Sequence, residues 1–248
     1  METEIVKQEK WYESITVKMI LIGIMGLMLL IPLALIMEVI RERAGNAESA
    51  RTEIGALWAS AQTVTGPVLN VPGTRVVAND GSYVTTTMHI LPDELKVNGV
   101  LEPEMRYRGI YETVVYDSDM EISGIFTVAG YEQLSEYTWQ WDKAYISLGV
   151  SDNKGISDKA ELTIGGSVIS AIPGAGQTDL FEKGISFPYA IDPSRPAEAG
   201  GEFKLHLSLR GSGSVAFSPV GRNTDVALSS KWDAPSFTGT FLPVQRDV

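Results

Sequence analysis

The chain has 248 residues, 44% hydrophobic and 21% charged, with 31 acidic against 20 basic residues and a formal net charge of −11. That acidity argues against nucleic acid as a partner, because phosphate binding needs a basic footprint, and against electrostatic retention on an anionic membrane surface. Cysteine is absent, which rules out disulfides and a lipidated N-terminal cysteine.

Residues 1–18 are a polar leader carrying Glu2, Glu4, Glu9 and Glu13. Residues 19–37, MILIGIMGLMLLIPLALIM, follow as nineteen consecutive uncharged residues. A helix of that length covers about 29 Å, close to the hydrocarbon thickness of a bilayer. The segment therefore reads as one membrane span over residues 19–40, with lipid as its partner. Pro32 is tolerated there because a local kink re-satisfies the freed carbonyl. A cleaved signal peptide would have a shorter apolar stretch, a basic leader and a small-residue cleavage site. Here the leader is acidic, and Glu38 and Arg41-Glu42-Arg43 follow the apolar stretch. A buried core helix is the other alternative, but apolar runs this long without a polar face seldom occur in soluble domains. Lys7, Lys10 and Lys18 balance Arg41, Arg43 and Arg51, so the positive-inside rule assigns no orientation.

Residues 41–65 are expected to continue as a helical stalk. Ile54, Leu57, Trp58, Ala61 and Val64 then share one face, and Gly66-Pro67 ends the helix. Gly45 and Gly55 weaken it by ~1 kcal/mol each relative to alanine.

From residue 66 to 248 the hydrophobic period becomes two, and this stretch holds 14 basic and 23 acidic residues, a net of −9. Met120, Ile122, Gly124, Phe126 and Val128 alternate with Glu121, Ser123, Ile125 and Thr127, and Phe203, Leu205, Leu207 and Leu209 alternate with Lys204, His206, Ser208 and Arg210. These are half-buried strands. Further strands are expected at residues 83–90, 106–116, 144–150, 160–164, 215–217 and 225–229. Turn clusters separate them at Asn79-Asp80-Gly81, Gly165-Gly166, Pro173-Gly174-Ala175-Gly176, Gly211-Ser212-Gly213-Ser214 and Gly221-Arg222-Asn223. Many short strands and no second long helix point to a mainly β chain whose large domain is an antiparallel β-sandwich. In the closing stretch, Phe237 and Phe241 alternate with Thr238 and Thr240 about Gly239. This segment reads as an integral strand with both phenylalanines in the core.

The two histidines fall on polar strand faces, His89 beside Met88 and Ile90, His206 opposite the Leu205 to Leu209 stripe, where an exposed strand histidine is the expectation. Asp117, Asp119 and Glu121 suggest calcium at first sight. They lack the glycine and distal glutamate of a calcium loop, and a hairpin turn leading into a strand explains them. The glycine clusters precede no Gly-Lys-Ser/Thr and no helix, and no G-x-S-x-G elbow is present. The residues therefore assign no catalytic, cofactor or metal site.

Six short motifs occur in order: Ile31-Pro32 through Arg41-Glu42-Arg43; Gly66-Pro67-Val68-Leu69 with Val71-Pro72; Leu91-Pro92-Asp93-Glu94-Leu95 with Val97-Asn98-Gly99; Arg108-Gly109-Ile110-Tyr111-Glu112; Gly221-Arg222-Asn223; and Pro235-Ser236-Phe237 through Leu242-Pro243. Together they resemble the CreD family of bacterial inner-membrane proteins. The resemblance implies an inner-membrane protein with its N-terminus in the cytoplasm, one N-terminal span, and a periplasmic β domain over residues 66–248. It further implies envelope integrity and stress tolerance under two-component control, no enzymatic activity, no cofactor, and unspecified envelope proteins as partners. In the family more β domain and a cluster of spans follow, so the resemblance implies a chain continuing past Val248; a short paralogue complete there is the alternative. The competing functional reading is a membrane-tethered periplasmic ligand-binding or hydrolytic domain. A deep pocket lined by His89, His206 or the acids at 117–121 would favour that reading, and a flat-faced sandwich would favour a structural or interaction role.

Overall fold

Leucine, methionine, isoleucine and alanine dominate the apolar segment, and all but the β-branched isoleucines are strong helix formers. In the computed structural model, which describes residues 14–76, 82–131, 136–176 and 180–245, they lie in one continuous helix, α1 (Ile15–Leu57), with Pro32 inside it. The chain divides into two compact units, Met1–Ala50 and Arg51–Val248. The first is dominated by α1, whose most apolar window is 0% buried. The second holds the last turns of α1 and all the strands.

Those strands are β1 (Gln62–Val76), β2 (Tyr83–Ile90), β3 (Glu94–Arg108), β4 (Tyr111–Thr127), β5 (Thr138–Trp139), β6 (Tyr145–Val150), β7 (Glu161–Ile164), β8 (Ser167–Ser170), β9 (Ile172–Pro173), β10 (Gly184–Pro188), β11 (Gly200–Ser212), β12 (Val215–Ser218) and β13 (Asn223–Ser230). Sheet A runs β12-β1-β6-β10-β9, with β2 and β5 also on β1; sheet B runs β13-β3-β4-β11-β7-β8. The two inner faces form one core. Leu69, Val71, Ile146, Leu148 and Phe187 from sheet A join Met120, Ile122, Phe203, Leu205 and Leu207 from sheet B, and none is more than 3% exposed. Each such side chain contributes ~1.5–3 kcal/mol by leaving water. The expected mainly β sandwich is therefore present. Two of its pairings, β1 with β12 and β3 with β13, are parallel, and the others are antiparallel.

The helical stalk ends earlier than expected. α1 stops at Leu57, so Ala61 and Val64 belong to the approach to β1 and to β1 itself, and Leu57 is 83% exposed. Gly66-Pro67 does not cap a helix. It lies inside β1, where the register with β6 shifts between Thr65 and Val68 and Gly66 takes a φ of 108°. This is a β-bulge, for which a positive φ favours glycine. The bulge moves the buried set from Val64 to Leu69 and Val71, a change of parity that hides the strand from a period-two reading. Gly55 does not break the helix either. A Cβ there would meet Ser212 Oγ at 3.3 Å, so the residue allows close approach to the end of β11.

Residues 106–116 are not one strand. They are the tip of the β3–β4 hairpin, closed by Gly109 and Ile110 between the paired Arg108 and Tyr111. Gly109 has a φ of 61°, as a glycine-first two-residue hairpin requires. Residues 237–241 form no strand, and Phe237 and Phe241 are 47% and 78% exposed, contrary to the core placement expected of them. Pro235 and Pro243 cannot donate to a ladder, and Gly239 adopts a φ of 116° that interrupts extended backbone. The Asn79-Asp80-Gly81 cluster lies outside the described residues.

Candidate functional site

The outward face of sheet B carries most of the chemistry singled out in the sequence. Alternation in β11 sends Leu205, Leu207 and Leu209 into the core and leaves Lys204, His206, Ser208 and Arg210 facing out. Antiparallel pairing then sets them against β4, His206 opposite Glu121, Ser208 opposite Asp119 and Arg210 opposite Asp117. The side chains join as a ladder. Lys204 Nζ lies 2.7 Å from Glu121 Oε2, His206 Nε2 3.3 Å from Asp119 Oδ1, and Arg210 Nε donates to Asp117 Oδ1 at 2.8 Å. Asp117, Asp119 and Glu121 thus lie within a strand rather than at a turn leading into one. A cross-strand charge match accounts for their spacing. Among the described residues no group of three or more His, Asp or Glu side chains is placed to hold a metal ion.

A depression of about 580 Å³ opens on this face across β13, β3, β4 and β11, lined among others by Asn98, Val100, Asp119, Glu121, His206 and Ser229. It is shallow and wet. The side chains of His206, Asp119 and Glu121 remain 54%, 66% and 45% exposed, whereas a ligand pocket buries most of its ligand's surface.

Beside the ladder, the chain entering from α1 is fixed to the same face. Trp58 lies between two guanidinium groups, Arg106 of β3 and Arg210 of β11, each 5.1 Å from its ring centroid. Its Nε1 donates to Tyr116 O at 3.3 Å, and Glu53 pairs with Arg108. Val115, between those strands on the outward side, is 0% exposed, as expected beneath such a cover. Cation–π contacts of this kind contribute ~0.5–1 kcal/mol each at exposed sites.

His89 has a different setting from the exposed one expected of it. It is half-buried on the outward face of sheet A, where its Nδ1 lies 2.7 Å from Asn70 Oδ1. An amide oxygen only accepts, so Nδ1 carries the proton. Asn70 Nδ2 in turn donates to Val68 O at 2.9 Å and to Ser147 Oγ at 2.7 Å, and Asn70 and Ser147 are both 0% exposed. Gly176 and Phe181 approach this face. A Cβ on Gly149 would fall 2.6 Å from the Phe181 ring, and one on Gly176 would clash with the Tyr145 ring. His89 and His206 are thus on different sheets and share no site.

Among the described residues Tyr116 is the one strongly shifted group. Burial pushes its hydroxyl well above the ordinary tyrosine range, partly offset by a hydrogen bond from the Gln62 backbone, and the hydroxyl donates to Ser214 O at 2.8 Å. It serves packing at the β11–β12 connection, beneath Gly211, where a Cβ would strike it. At Asp192, hydrogen bonds from the Ser194 hydroxyl and backbone hold the carboxyl below its usual range. Sequence reasoning missed Asn70, Asn98 and the partner roles of Lys204 and Arg210. The opposite-sign pattern of 117-119-121 and 204-206-210 was the signal for the last two.

The family model described as inner membrane protein CreD matches residues 14–248. The chain belongs to the CreD family. It is 30% identical over 228 residues to the inner membrane protein CreD of Escherichia coli (strain K12), an alignment covering 90% of this chain and 50% of that protein. The chain thus spans about half the length of the curated relative it matches. No solved structure matches it. Within a CreD-type inner membrane protein, α1 is long and apolar enough to cross the membrane, and the β-rich unit carries an open, charge-paired face.

Proposed function

We propose that this protein is a non-enzymatic component of the bacterial inner membrane. Residues 19–40 anchor it in lipid, its N-terminus lies in the cytoplasm, and its β domain works in the periplasm in envelope integrity and stress tolerance under two-component control. The supporting observation is the outward face of sheet B. Every acid of the 117–121 run is matched to a base from β11, all of them in water. Catalytic acids and bases are instead set apart by burial and unlike environments. A wide, exposed, charge-matched surface suits reversible contact with another envelope protein.

A second reading, ligand binding or hydrolysis at the same depression, draws on the His206–Asp119 pair beside Asn98. Complementation in cells lacking the native gene separates the two. Under the interaction reading, His206→Ala restores envelope stress tolerance within about twofold of the unaltered chain, as loss of one exposed ion pair permits. A loss of about a hundredfold or more at normal protein level would mark His206 as a general acid or base and overturn the non-enzymatic assignment.

A further inference from the structure

Residues 51–59, the last turns of α1 and the start of the link to β1, are held to sheet B by contacts that stand in water. Glu53 pairs with Arg108, their side chains 51% and 55% exposed. Trp58 stacks between Arg106 and Arg210, whose side chains are 45% and 46% exposed. The next residues are fixed differently. Ser60 N donates to Asp152 Oδ2 and Ser60 O accepts from Ser212 N, both at 3.3 Å. Gln62 is 1% exposed, and its side-chain amide donates to Asp152 O at 3.2 Å and accepts from Asp152 N at 3.3 Å. Solvent-exposed contacts mark segments that open locally, and buried ones mark the parts that stay.

Arg210 belongs to two sets of contacts. Its Nε donates to Asp117 Oδ1 at 2.8 Å, at one end of the charge ladder, and its guanidinium lies 5.1 Å from the Trp58 ring centroid. The other rungs, His206 with Asp119 and Lys204 with Glu121, lie four and six residues away along β11. One side chain therefore ties the segment that follows the apolar helix to the charged face of sheet B.

We propose that residues 51–59 form a releasable strap, pivoting at Ser60 and Ala61, and that Arg210 couples its release to the charge pairing on sheet B. Closed, the strap keeps the Arg210 guanidinium between Trp58 and Asp117. Released, it withdraws the indole, leaves Arg210 to Asp117 alone, and uncovers Val115, which is 0% exposed. Loss of the Asp117 pairing in turn loosens the strap, because coupling between two sites is reciprocal. This inference concerns the β-rich unit alone and does not rest on the function proposed above.

The chain has no cysteine, so one introduced thiol reports one position. Ala59 in the strap is 0% exposed and Ala160 in the sandwich core is 3% exposed. Each is replaced by cysteine in the full chain in detergent. Ala59→Cys is expected to react with a maleimide at least about tenfold faster than Ala160→Cys, because local opening is easier than global unfolding. Trp58→Ala should speed labelling at 59 about tenfold, and Arg106→Gln, which removes one of the two cations and leaves the ladder intact, about threefold, with labelling at 160 unchanged. Asp117→Asn should speed labelling at 59 about threefold by freeing Arg210, whereas Asp119→Asn should leave it unchanged. Should Trp58→Ala unfold, seen as fast labelling at 160, Arg106→Gln decides. Equal labelling at 59 and 160 would mean that the strap opens only with the whole domain. An unchanged rate at 59 in Arg106→Gln, or equal responses to Asp117→Asn and Asp119→Asn, would remove the clasp or its coupling, and any of the three overturns the proposal.

Discussion

On the outward face of sheet A, which Gly176 and Phe181 approach, Asn70 and Ser147 are fully buried, and the polar contacts there are among amide, hydroxyl and imidazole. On the outward face of sheet B the side chains of the ladder remain 45% to 66% exposed, and the contacts join carboxylates to a lysine, an arginine and a histidine. Both faces come from the same period-two alternation. The difference shows that cover decides which polar chemistry a strand face carries. Water-excluded positions demand neutral groups with their hydrogen bonds made, because an unpaired polar group costs ~1–3 kcal/mol there, while exposed positions tolerate charges whose pairing contributes little.

Replacing Asn70 breaks that comparison most severely. Asn70→Ala leaves the Ser147 hydroxyl and His89 Nδ1 without the partner they share, and should cost about 2–3 kcal/mol, or roughly 4–12 °C in Tm. Asn70→Asp should cost more, because a carboxylate oxygen would face Val68 O in place of an N–H. Thermal unfolding of the full chain in detergent measures both, and a loss under 1 kcal/mol for either would contradict the buried-amide account.

Tyr116 sharpens the contrast through pH. Its folded value is raised by burial above the ordinary tyrosine value of 10.0. A raised value means a contribution that is complete below pH 10.0 and is lost as pH rises past it, because only the unfolded chain ionises readily there. Stability should therefore decline above pH 10, and Tyr116→Phe should flatten that decline while costing about 1 kcal/mol at neutral pH for its hydrogen bond to Ser214 O. An equally steep alkaline decline in Tyr116→Phe would assign it to other groups.

The ladder should give the smallest effect. Glu121→Gln, which ends the charge pairing with Lys204, should change stability by about 0.5 kcal/mol or less, and 1 M salt should erase even that, since the screening length falls to about 3 Å. A change above 1 kcal/mol that persists in salt would mean the face is covered after all.

What the sequence made legible follows the same division. Residues 19–37 declare themselves because nineteen uncharged residues in a row have few alternative fates, and the Leu205 to Leu209 stripe because strict alternation is the signature of a half-buried strand. β1 was illegible because its bulge at Gly66-Pro67 switches the inward parity and makes the glycine and proline look like a helix stop. Phe237 and Phe241 misled in the opposite direction. Two apolar residues flanking a glycine mimic alternation, but flanking prolines and a positive φ at Gly239 make the segment a loop. Gly176 and Phe181 could not be placed over sheet A from sequence, because their approach to Tyr145 and Gly149 joins residues remote along the chain and carries no periodic signal. The neutral cluster at Asn70 was hidden with it, whereas the charges of the open face were readable strand by strand.

The central claim is that α1 anchors a β domain lying in the periplasm. Fusion of alkaline phosphatase after Val248, compared with a reporter that works only in the cytoplasm, tests it most directly. The account predicts an active phosphatase and a silent cytoplasmic reporter; a silent phosphatase with an active cytoplasmic reporter would contradict it.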